Sequence, residues 1–451
     1  MKQRIFVANR GEIAVRIVEA CDQLGYDTVL GVSSADKDTL AARRAGRVVV
    51  LGGPRPSESY LNMNAVVQAA LSTGCTAVHP GYGFLSERPA FAELCAENGL
   101  VFIGPSPDAL RALGDKLTAR RLAESVNVPV SAGGTAQSAD EVRRLAEGIG
   151  YPLLIKAAYG GGGRGMKLVT STAELAEAWQ MASAEAEASF GDGTVFLERF
   201  VQDAKHVEVQ IIGDRHGHRV HLGERECSVQ YRYQKVVEEA PCAALPADTR
   251  ALLHASALRI AEALEYVGLG TVEFLYDVRS DALAFLEVNP RLQVEHPVTE
   301  AVTGIDLVRE QILVALGEPL SFTQADVSLD GHAIECRITA QDPEQDLRPS
   351  PGTVTRWRPS AAGGLRLDSH VYEGYRFPPF YDALMGKQIA WAPSRGAALE
   401  RMEGALREFE VEGVTTSLPL LRRILGHLAY RENTVTTHWL NELMTEEKVD
   451  S

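Results

Sequence analysis

Strand-like and helical segments alternate along the N-terminal part of the chain. An apolar run at residues 4–8 is followed by apolar side chains at helical spacing and then by a second apolar run at 28–32. The alternation continues as far as 101–103. Because strands separated by helices pair in parallel through right-handed crossovers, residues 1–113 are predicted to form an α/β domain around a parallel sheet.

The turn after the first strand argues against one class of enzyme. Its sequence is Asn9-Arg10-Gly11-Glu12, which lacks the glycine pattern that lets a Rossmann turn approach a dinucleotide pyrophosphate. A dehydrogenase is therefore disfavoured.

The pattern changes beyond residue 113 to a small α+β module of strands and helices, and strands dominate from residue 195 onward. Predicted strands lie at 128–130, 153–157, 166–169, 195–198, 207–212, 219–222 and 332–338. Turn residues at 317–319 and 330–331 mark a further boundary. A chain of 451 residues exceeds what one hydrophobic core serves, so three domains are predicted, at 1–113, 114–330 and 331–451.

The charge and the cysteines limit the partners and the location. The 45 Lys and Arg against 60 Asp and Glu give a net charge of −15, which repels nucleic acid and anionic membranes. No apolar run reaches the roughly 18 residues of a membrane helix, and no export or transit segment is visible. The six cysteines lack C-x-x-C spacing, so buried, reduced thiols and a cytoplasmic location are expected.

A glycine loop at 160–165 lies between two predicted strands. Its amides can approach phosphates closely because no Cβ stands in the way, and Lys156 is placed to add a cation beside them. The alternative is a hairpin tip without a ligand.

A predicted hairpin over 271–289 places two carboxylates on neighbouring strands. If Glu273 and Glu287 are opposite each other, their Cβ atoms lie about 5 Å apart. With Asn289 they make an all-oxygen set that suits Mg²⁺ or Mn²⁺ shared with nucleotide phosphates. The alternative is a solvated surface hairpin with a different register.

Functional groups occupy every second position after Glu287, at Asn289, Arg291, Gln293 and Glu295. An extended chain would send all of them to one side. We interpret Arg291 as an anion clamp and Glu295 as a candidate general base. An edge strand with one solvated face would alternate in the same way.

Two other clusters are not expected to be catalytic. His216, His218 and His221 have zinc-like side chains near Cys227, but a turn interrupts them and the spacing fits no standard zinc pattern. The pair at 238–239 is expected to be solvated or ion-paired.

Together, the motifs of this chain closely resemble those of the biotin carboxylase family of ATP-grasp enzymes, almost from end to end. The segments that carry the resemblance are 8–14, 79–87, 114–116, Lys156 with its glycine loop, 206–210, 234–241, 287–297, 335–338 and 349–352.

The resemblance implies an α/β and α+β architecture. An N-terminal Rossmann-like sheet would be followed by an ATP-grasp core with a mobile lid over about 129–201 and by a C-terminal α+β domain. It also implies carboxylation of biotin by bicarbonate and ATP through carboxyphosphate, the first half-reaction of an acyl-CoA carboxylase such as the acetyl-CoA carboxylase of fatty acid biosynthesis. Glu295 would deprotonate bicarbonate, and Arg337 would stabilise the enolate-like oxygen of biotin.

The resemblance also assigns ligands to residues of this chain. The residues implied for ATP are Lys116, Lys156, Gly162, Gly163, Glu198, Arg199, Phe200, Val201, His206, Tyr233 and Glu273. The residues implied for Mg²⁺ or Mn²⁺ are Glu273, Glu287 and Asn289. Those implied for bicarbonate are Lys235, Arg291, Gln293 and the amide of Val294, and those for biotin are Tyr82, Gly83, Gln230 and Arg337. The catalytic residues would be Lys235, Arg291, Glu295 and Arg337.

The chain departs from the family pattern between Gln230 and Lys235. The family usually has Arg-Arg followed by His or Asn there, whereas this chain has Tyr231 and Tyr233 around Arg232. This departure motivates one alternative, a catalytically weakened regulatory subunit that binds nucleotide. A second alternative is another ATP-grasp ligase.

The partners follow from what the resemblance implies. Biotin-bearing relatives carry a Met-Lys-Met type attachment motif, which this sequence lacks. Biotin is therefore expected on a separate biotin carboxyl carrier protein. Carboxyltransferase subunits and a second copy of the chain are further expected partners.

Overall fold

The computed structural model describes residues 3–157 and 166–450. The glycine loop at 160–165, with the predicted phosphate-binding residues Gly162 and Gly163, lies outside the described residues. The strands, in chain order, are β1 (Arg4–Val7), β2 (Asp27–Ser33), β3 (Arg47–Gly52), β4 (Ala77–His79), β5 (Val101–Phe102), β6 (Gly133–Ala136), β7 (Leu153–Ala157), β8 (Lys167–Val169), β9 (Val195–Arg199), β10 (Ala204–Gly213), β11 (Arg219–Tyr231), β12 (Gln234–Ala240), β13 (Gly268–Asp277), β14 (Ala282–Asn289), β15 (His332–Thr339), β16 (Gln341–Asp342), β17 (Arg348–Pro349), β18 (Arg356–Arg358), β19 (Leu365–Ser369), β20 (Leu384–Ala392) and β21 (Glu410–Glu412). The helices are α1 (Gly11–Gln23), α2 (Leu40–Arg44), α3 (Met63–Ser72), α4 (Pro89–Glu97), α5 (Pro107–Gly114), α6 (Lys116–Ser125), α7 (Ala139–Ile149), α8 (Thr172–Phe190), α9 (Ala247–Ala263), α10 (His296–Thr303), α11 (Leu307–Ala315), α12 (Arg395–Glu408), α13 (Leu418–Gly426), α14 (Leu428–Arg431) and α15 (Trp439–Asp450).

The N-terminal strands form the predicted parallel sheet, in the order β3-β2-β1-β4-β5. Its central strand β1 is buried on both faces, and Ile5, Phe6 and Val7 are fully covered. Continuous apolar character is what a parallel strand covered by helices on both sides requires. The prediction of an α/β unit is therefore confirmed.

A second, four-stranded antiparallel sheet has the order β6-β9-β7-β8, with α7 and α8 packed against it. The strand predicted at 128–130 is wrong, since β6 begins only at Gly133. Val130 makes an isolated bridge to Phe285 instead. Pro129 has no backbone N–H to give to a sheet, although its carbonyl accepts a hydrogen bond from Phe285.

The largest sheet has eight strands in the order β14-β13-β10-β11-β12-β15-β20-β19, and every pairing in it is antiparallel. The strand predicted at 219–222 is too short, because β11 continues to Tyr231, and β12 was not predicted at all. Glu224, Arg225 and Glu226 have the composition of an exposed segment but are buried within β11. When buried charged side chains pair with one another, the strand that carries them has the polar sequence of an exposed segment, and the apolar pattern does not predict it.

The C-terminal residues extend this same sheet. β15 pairs with β12, so that Val237 lies opposite Cys336 and Glu238 opposite Glu335. One hydrophobic core includes side chains from both strands. The predicted division at residue 330 thus falls between strands that are neighbours in one sheet.

The helices and the cysteines can be compared with the expectations from composition. In the described ranges, no helix has the length and apolar character needed to cross a bilayer. All six cysteines are buried with free thiols, as predicted.

A chain that ends at Asp330 tests the role of the shared sheet. Removal of β15, β20 and β19 would expose the edge of β12 and the apolar side chains beneath it. We therefore expect the fragment 1–330 to show no cooperative thermal unfolding by circular dichroism, whereas the full chain unfolds cooperatively. A cooperative transition in the fragment would contradict this expectation.

Candidate active site

A cavity of about 1860 Å³ lies where the three sheets meet. Every predicted site residue in the described part of the chain lines it. These residues are Tyr82, Gly83, Lys116, Lys156, Glu198, Arg199, Phe200, Val201, His206, Gln230, Tyr233, Lys235, Glu273, Glu287, Asn289, Arg291, Gln293, Val294, Glu295 and Arg337. A cavity of this size has room for a nucleotide together with a second substrate.

A row of carboxylates crosses one wall of the cavity. The register places Glu273 of β13 opposite Glu287 of β14, as predicted, and opposite Glu208 of β10 on the other side. Like charges on adjacent strands repel, so this row needs cations. Lys116 Nζ lies 2.9 Å from Glu287 Oε2 and supplies one of them.

Lys235 supplies the second cation. Its Nζ donates to Glu208 Oε2 at 2.5 Å, to Glu295 Oε1 at 2.5 Å and to Glu273 Oε1 at 3.3 Å. Burial lowers the pKa of Lys235, but the Cys227 thiol and these carboxylates outweigh burial and raise the pKa well above its ordinary value. The ammonium group is therefore charged and joins three strands to the loop that carries Glu295.

Glu295 is fully buried between two cations. Its Oε1 accepts from Lys235, and its Oε2 accepts from Arg337 Nη2 at 2.9 Å. Burial alone would raise the pKa of this carboxyl, but the attraction of Lys235, Arg337 and Arg225 lowers it well below the ordinary value. Glu295 is consequently an ionised carboxylate at the wall of the cavity.

The extended strand predicted through Glu295 is wrong beyond Asn289. β14 ends there, and α10 begins at His296. Pro290 cannot donate to a ladder, and Arg291 N donates to the carbonyl of Asn289 at 2.9 Å, which closes a tight turn.

The functional groups converge despite this turn. Arg291 Nη2 donates to Asn289 Oδ1 at 3.0 Å, and its Nη1 donates to Gln293 Oε1 at 2.7 Å. Gln293 Nε2 in turn donates to Glu273 Oε1 at 3.0 Å. Arg291 Nε also donates to Glu87 Oε1 at 2.7 Å, so the connection between β4 and α4 holds the guanidinium as well.

Arg225 holds one carboxylate of this row and was not predicted from the sequence. It is fully buried, and its Nε donates to Glu208 Oε1 at 2.6 Å. Its two terminal nitrogens donate to Gln210, Thr299 and Thr271. Polar residues alternate with apolar residues in β10, at 206, 208 and 210, and this pattern could have predicted a polar face on that strand.

Arg337 is held by a second carboxylate that was not predicted as part of the site. Glu238 Oε1 accepts from Arg337 Nε at 2.6 Å. Burial, together with the nearby Glu295, raises the pKa of Glu238 to about 7 against the attraction of Arg337. Its neighbour Glu239 pairs with Arg395 at 2.8 Å. Of the two alternatives for 238–239, ion pairing is correct and solvation is wrong, since both side chains are buried.

The histidines that resemble zinc ligands have other partners. His216 Nε2 lies 3.0 Å from the carbonyl of Gly317, and His218 Nδ1 lies 2.8 Å from Asp214 Oδ2. His221 Nδ1 accepts from Gly223 N at 3.3 Å. Within 3–157 and 166–450, the groups of side chains close enough to share a metal ion do not include these three residues.

The predicted nucleotide side of the cavity has its own ion pair and an exposed tyrosine. Lys156 Nζ donates to Glu198 Oε1 at 2.7 Å. Tyr233 lies in the turn between β11 and β12 at a positive φ of 66°, and the residue is 63% exposed. Tyr231 points elsewhere, and its hydroxyl donates to Asp346.

Comparison with known families covers nearly the whole sequence. Residues 1–110 match the family described as biotin carboxylase, N-terminal domain. Residues 115–323 match the ATP binding domain of the carbamoyl-phosphate synthase L chain, and 335–442 match the biotin carboxylase C-terminal domain.

Individual relatives are similar over their full length. A biotin carboxylase of Nostoc sp. is 46% identical over 442 residues, which cover 98% of this chain and 99% of the relative. The structure of a biotin carboxylase–beta-gamma-ATP complex from Campylobacter jejuni has a TM-score of 0.94 and 41% identity, covering 98% of this chain and 99% of that one. A biotin carboxylase domain dimer of the Hydrogenobacter thermophilus 2-oxoglutarate carboxylase, in complex with MgADP, ADP and bicarbonate, has a TM-score of 0.92 and 40% identity and covers 98% of each chain.

These matches define a carboxylating enzyme of the ATP-grasp fold. The chain belongs to the biotin carboxylase family. The family, the fold class and the enzyme class predicted from the sequence motifs are thereby confirmed.

Substitution of Arg225 tests how much the fold depends on the buried charges. Arg225→Met leaves Glu208 without its 2.6 Å partner inside the sheet. We expect a loss of about 3–5 kcal/mol in the free energy of unfolding, measured by urea denaturation. Arg356, which pairs with Glu412 at 2.7 Å at the surface, is the matched control. Arg356→Met should cost less than about 1 kcal/mol, and an equally small loss at Arg225 would contradict the expectation.

Proposed function

We propose that this chain carboxylates biotin, with bicarbonate as the carboxyl source and ATP as the activating reagent. The observation that carries the proposal is the position of Glu295, an ionised carboxylate held between Lys235 and Arg337 at the wall of a nucleotide-sized cavity. An ionised carboxylate at this position can take a proton from a bound oxyanion if neighbouring cations stabilise the product. Membership in the biotin carboxylase family supports the same reaction.

Bicarbonate would bind between Lys235 and the turn that follows β14. Arg291, Gln293 and the amide of Val294 present donors on that turn. Bicarbonate is a much weaker acid than a carboxyl group, so a low-pKa carboxylate cannot deprotonate it without help. Lys235 and Arg291 would provide that help by stabilising the dianionic product of the proton transfer.

Proton transfer to Glu295 would make a bicarbonate oxygen nucleophilic toward the γ-phosphate of ATP. Attack there forms a new oxygen–phosphorus bond, releases ADP and gives carboxyphosphate. Its decomposition gives CO₂ and phosphate, and the phosphate takes the N1 proton of biotin. Arg337 would then stabilise the negative charge on the ureido oxygen while N1 attacks CO₂.

The chain offers a consistent set of ligands for a divalent cation. Glu273 and Glu287 face each other across the hairpin, and the amide of Asn289 donates to Glu273 Oε1 at 2.6 Å. Their oxygens are the ligand type that Mg²⁺ and Mn²⁺ prefer, so these three residues would hold the ion. When bound, the ion would neutralise charge on the nucleotide phosphates.

ATP would occupy the side of the cavity nearest the four-stranded sheet. Lys116, Lys156 and His206 line that side and would contact the phosphates. The segment 198–201 would contact adenine. Tyr233, at the exposed turn between β11 and β12, would contact the nucleotide from that turn.

Biotin would enter beside Tyr82, Gly83, Gln230 and Arg337. We infer that it arrives on a separate carrier protein and that a carboxyltransferase subunit uses the product. We also infer a homodimer, because the Hydrogenobacter thermophilus relative is a dimer. The regulatory alternative gains no support, since the charges around Glu295 have the arrangement that the reaction needs.

The test is ATP hydrolysis by the purified chain with Mg²⁺ and bicarbonate, with and without free biotin. We expect biotin to stimulate turnover, and we expect Arg337→Met to reduce the stimulated rate by roughly 10²-fold while ATP binding persists. Arg356→Met is the control and should retain the wild-type rate.

Two results would contradict the proposal. Bicarbonate-dependent hydrolysis that is indifferent to biotin would indicate a different acceptor. ATP binding without any turnover would indicate a regulatory subunit.

A further inference from the structure

Lys387 is a buried lysine outside the set of predicted site residues. It lies on β20 with no exposed side-chain surface, opposite Arg337 of β15 in the register. A buried ammonium group is costly unless anions and hydrogen-bond acceptors surround it. Its partners therefore indicate what it holds in place.

The ammonium group of Lys387 joins two parts of the cavity wall. Its Nζ donates to the carbonyl of Val294 at 2.8 Å and lies 3.1 Å from Glu12 Oε1. Asp368 Oδ2 is more distant, at 3.9 Å. The Val294 carbonyl belongs to the peptide that leads directly into Glu295.

Glu12 continues this connection toward the proposed biotin site. It lies in the first turn of α1 and is almost fully buried. The same Oε1 that faces Lys387 accepts a hydrogen bond from the hydroxyl of Tyr82. One ion pair thus links the turn proposed for bicarbonate to the ring proposed for biotin.

We propose that Lys387 and Glu12 are a positioning pair, in which Lys387 fixes the 293–295 turn and Glu12 fixes the Tyr82 ring. This inference rests on the proposed function, since it assigns bicarbonate to that turn and biotin to Tyr82. Neither residue needs to touch a substrate. Each acts through the group that it holds.

The test separates positioning from stability with a double substitution. Lys387→Met alone leaves Glu12 as an uncompensated buried charge and can unfold the chain. Lys387→Met/Glu12→Leu removes both charges with side chains of similar volume, which leaves the stability of a buried pair nearly unchanged. The double variant therefore remains measurable if the single variant does not fold.

Lys205→Met/Glu226→Leu is the matched control. Lys205 is also buried, and its Nζ donates to Glu226 Oε1 at 2.6 Å. It lies on β10 beside His206, but alternate strand residues point to opposite faces, so it contacts no proposed ligand. This control, like the double variant, removes both charges of a buried pair, and it should leave all three KM values unchanged.

We expect the KM values for bicarbonate and biotin to change and the KM for ATP to stay the same. In the folded double variant, the KM for bicarbonate should rise about tenfold and that for biotin about fivefold, while the KM for ATP stays within twofold of wild type. A double variant that is folded and has wild-type KM values for bicarbonate and biotin would overturn the inference. If the wild-type chain shows no biotin-stimulated, bicarbonate-dependent hydrolysis, the proposed function itself fails and this inference fails with it.

Discussion

The attraction between Lys235 and three carboxylates is the interaction on which the rest of the site depends. Glu208 and Glu273 are neighbours across two strands, and Glu295 approaches them from the loop after β14. Without a cation among them, at least one of these groups would have to take up a proton or move away. Lys235 keeps them close and ionised. Arg225 pairs with Glu208 and Arg337 pairs with Glu295, so these two cations neutralise the remaining negative charge.

Such a network contributes little to stability, because removing charges from water costs about as much as their attraction returns. Its value is in the geometry that it imposes. Glu295 has one oxygen on Lys235 and the other on Arg337, so its orientation follows from residues on β12 and β15. The continuous eight-stranded sheet makes this orientation possible, because it places β12 and β15 side by side.

Much of the fold and part of the site could be predicted from the sequence. Apolar periodicity located the parallel sheet, and the hairpin register brought Glu273 opposite Glu287 as expected. Sequence patterns failed to predict elements whose structure depends on residues far along the chain. β12 was missed because its charged residues are satisfied by partners far along the chain, such as Arg337 and Arg395. The chain turns after Asn289, at Pro290, and this turn brings Gln293 to Glu273. The alternation of polar residues along 287–295 does not reveal this contact.

The central claim is that bicarbonate, activated at Glu295, attacks the γ-phosphate of ATP. The most direct measurement supplies ¹⁸O-labelled bicarbonate to the Mg²⁺-ATP reaction with biotin and follows the label by mass spectrometry of the released phosphate. Transfer through carboxyphosphate places one bicarbonate oxygen in each phosphate, and Glu295→Gln should abolish this bicarbonate-dependent release. Unlabelled phosphate from a turnover that still requires bicarbonate would show that water, not bicarbonate, attacks ATP, and would contradict the claim.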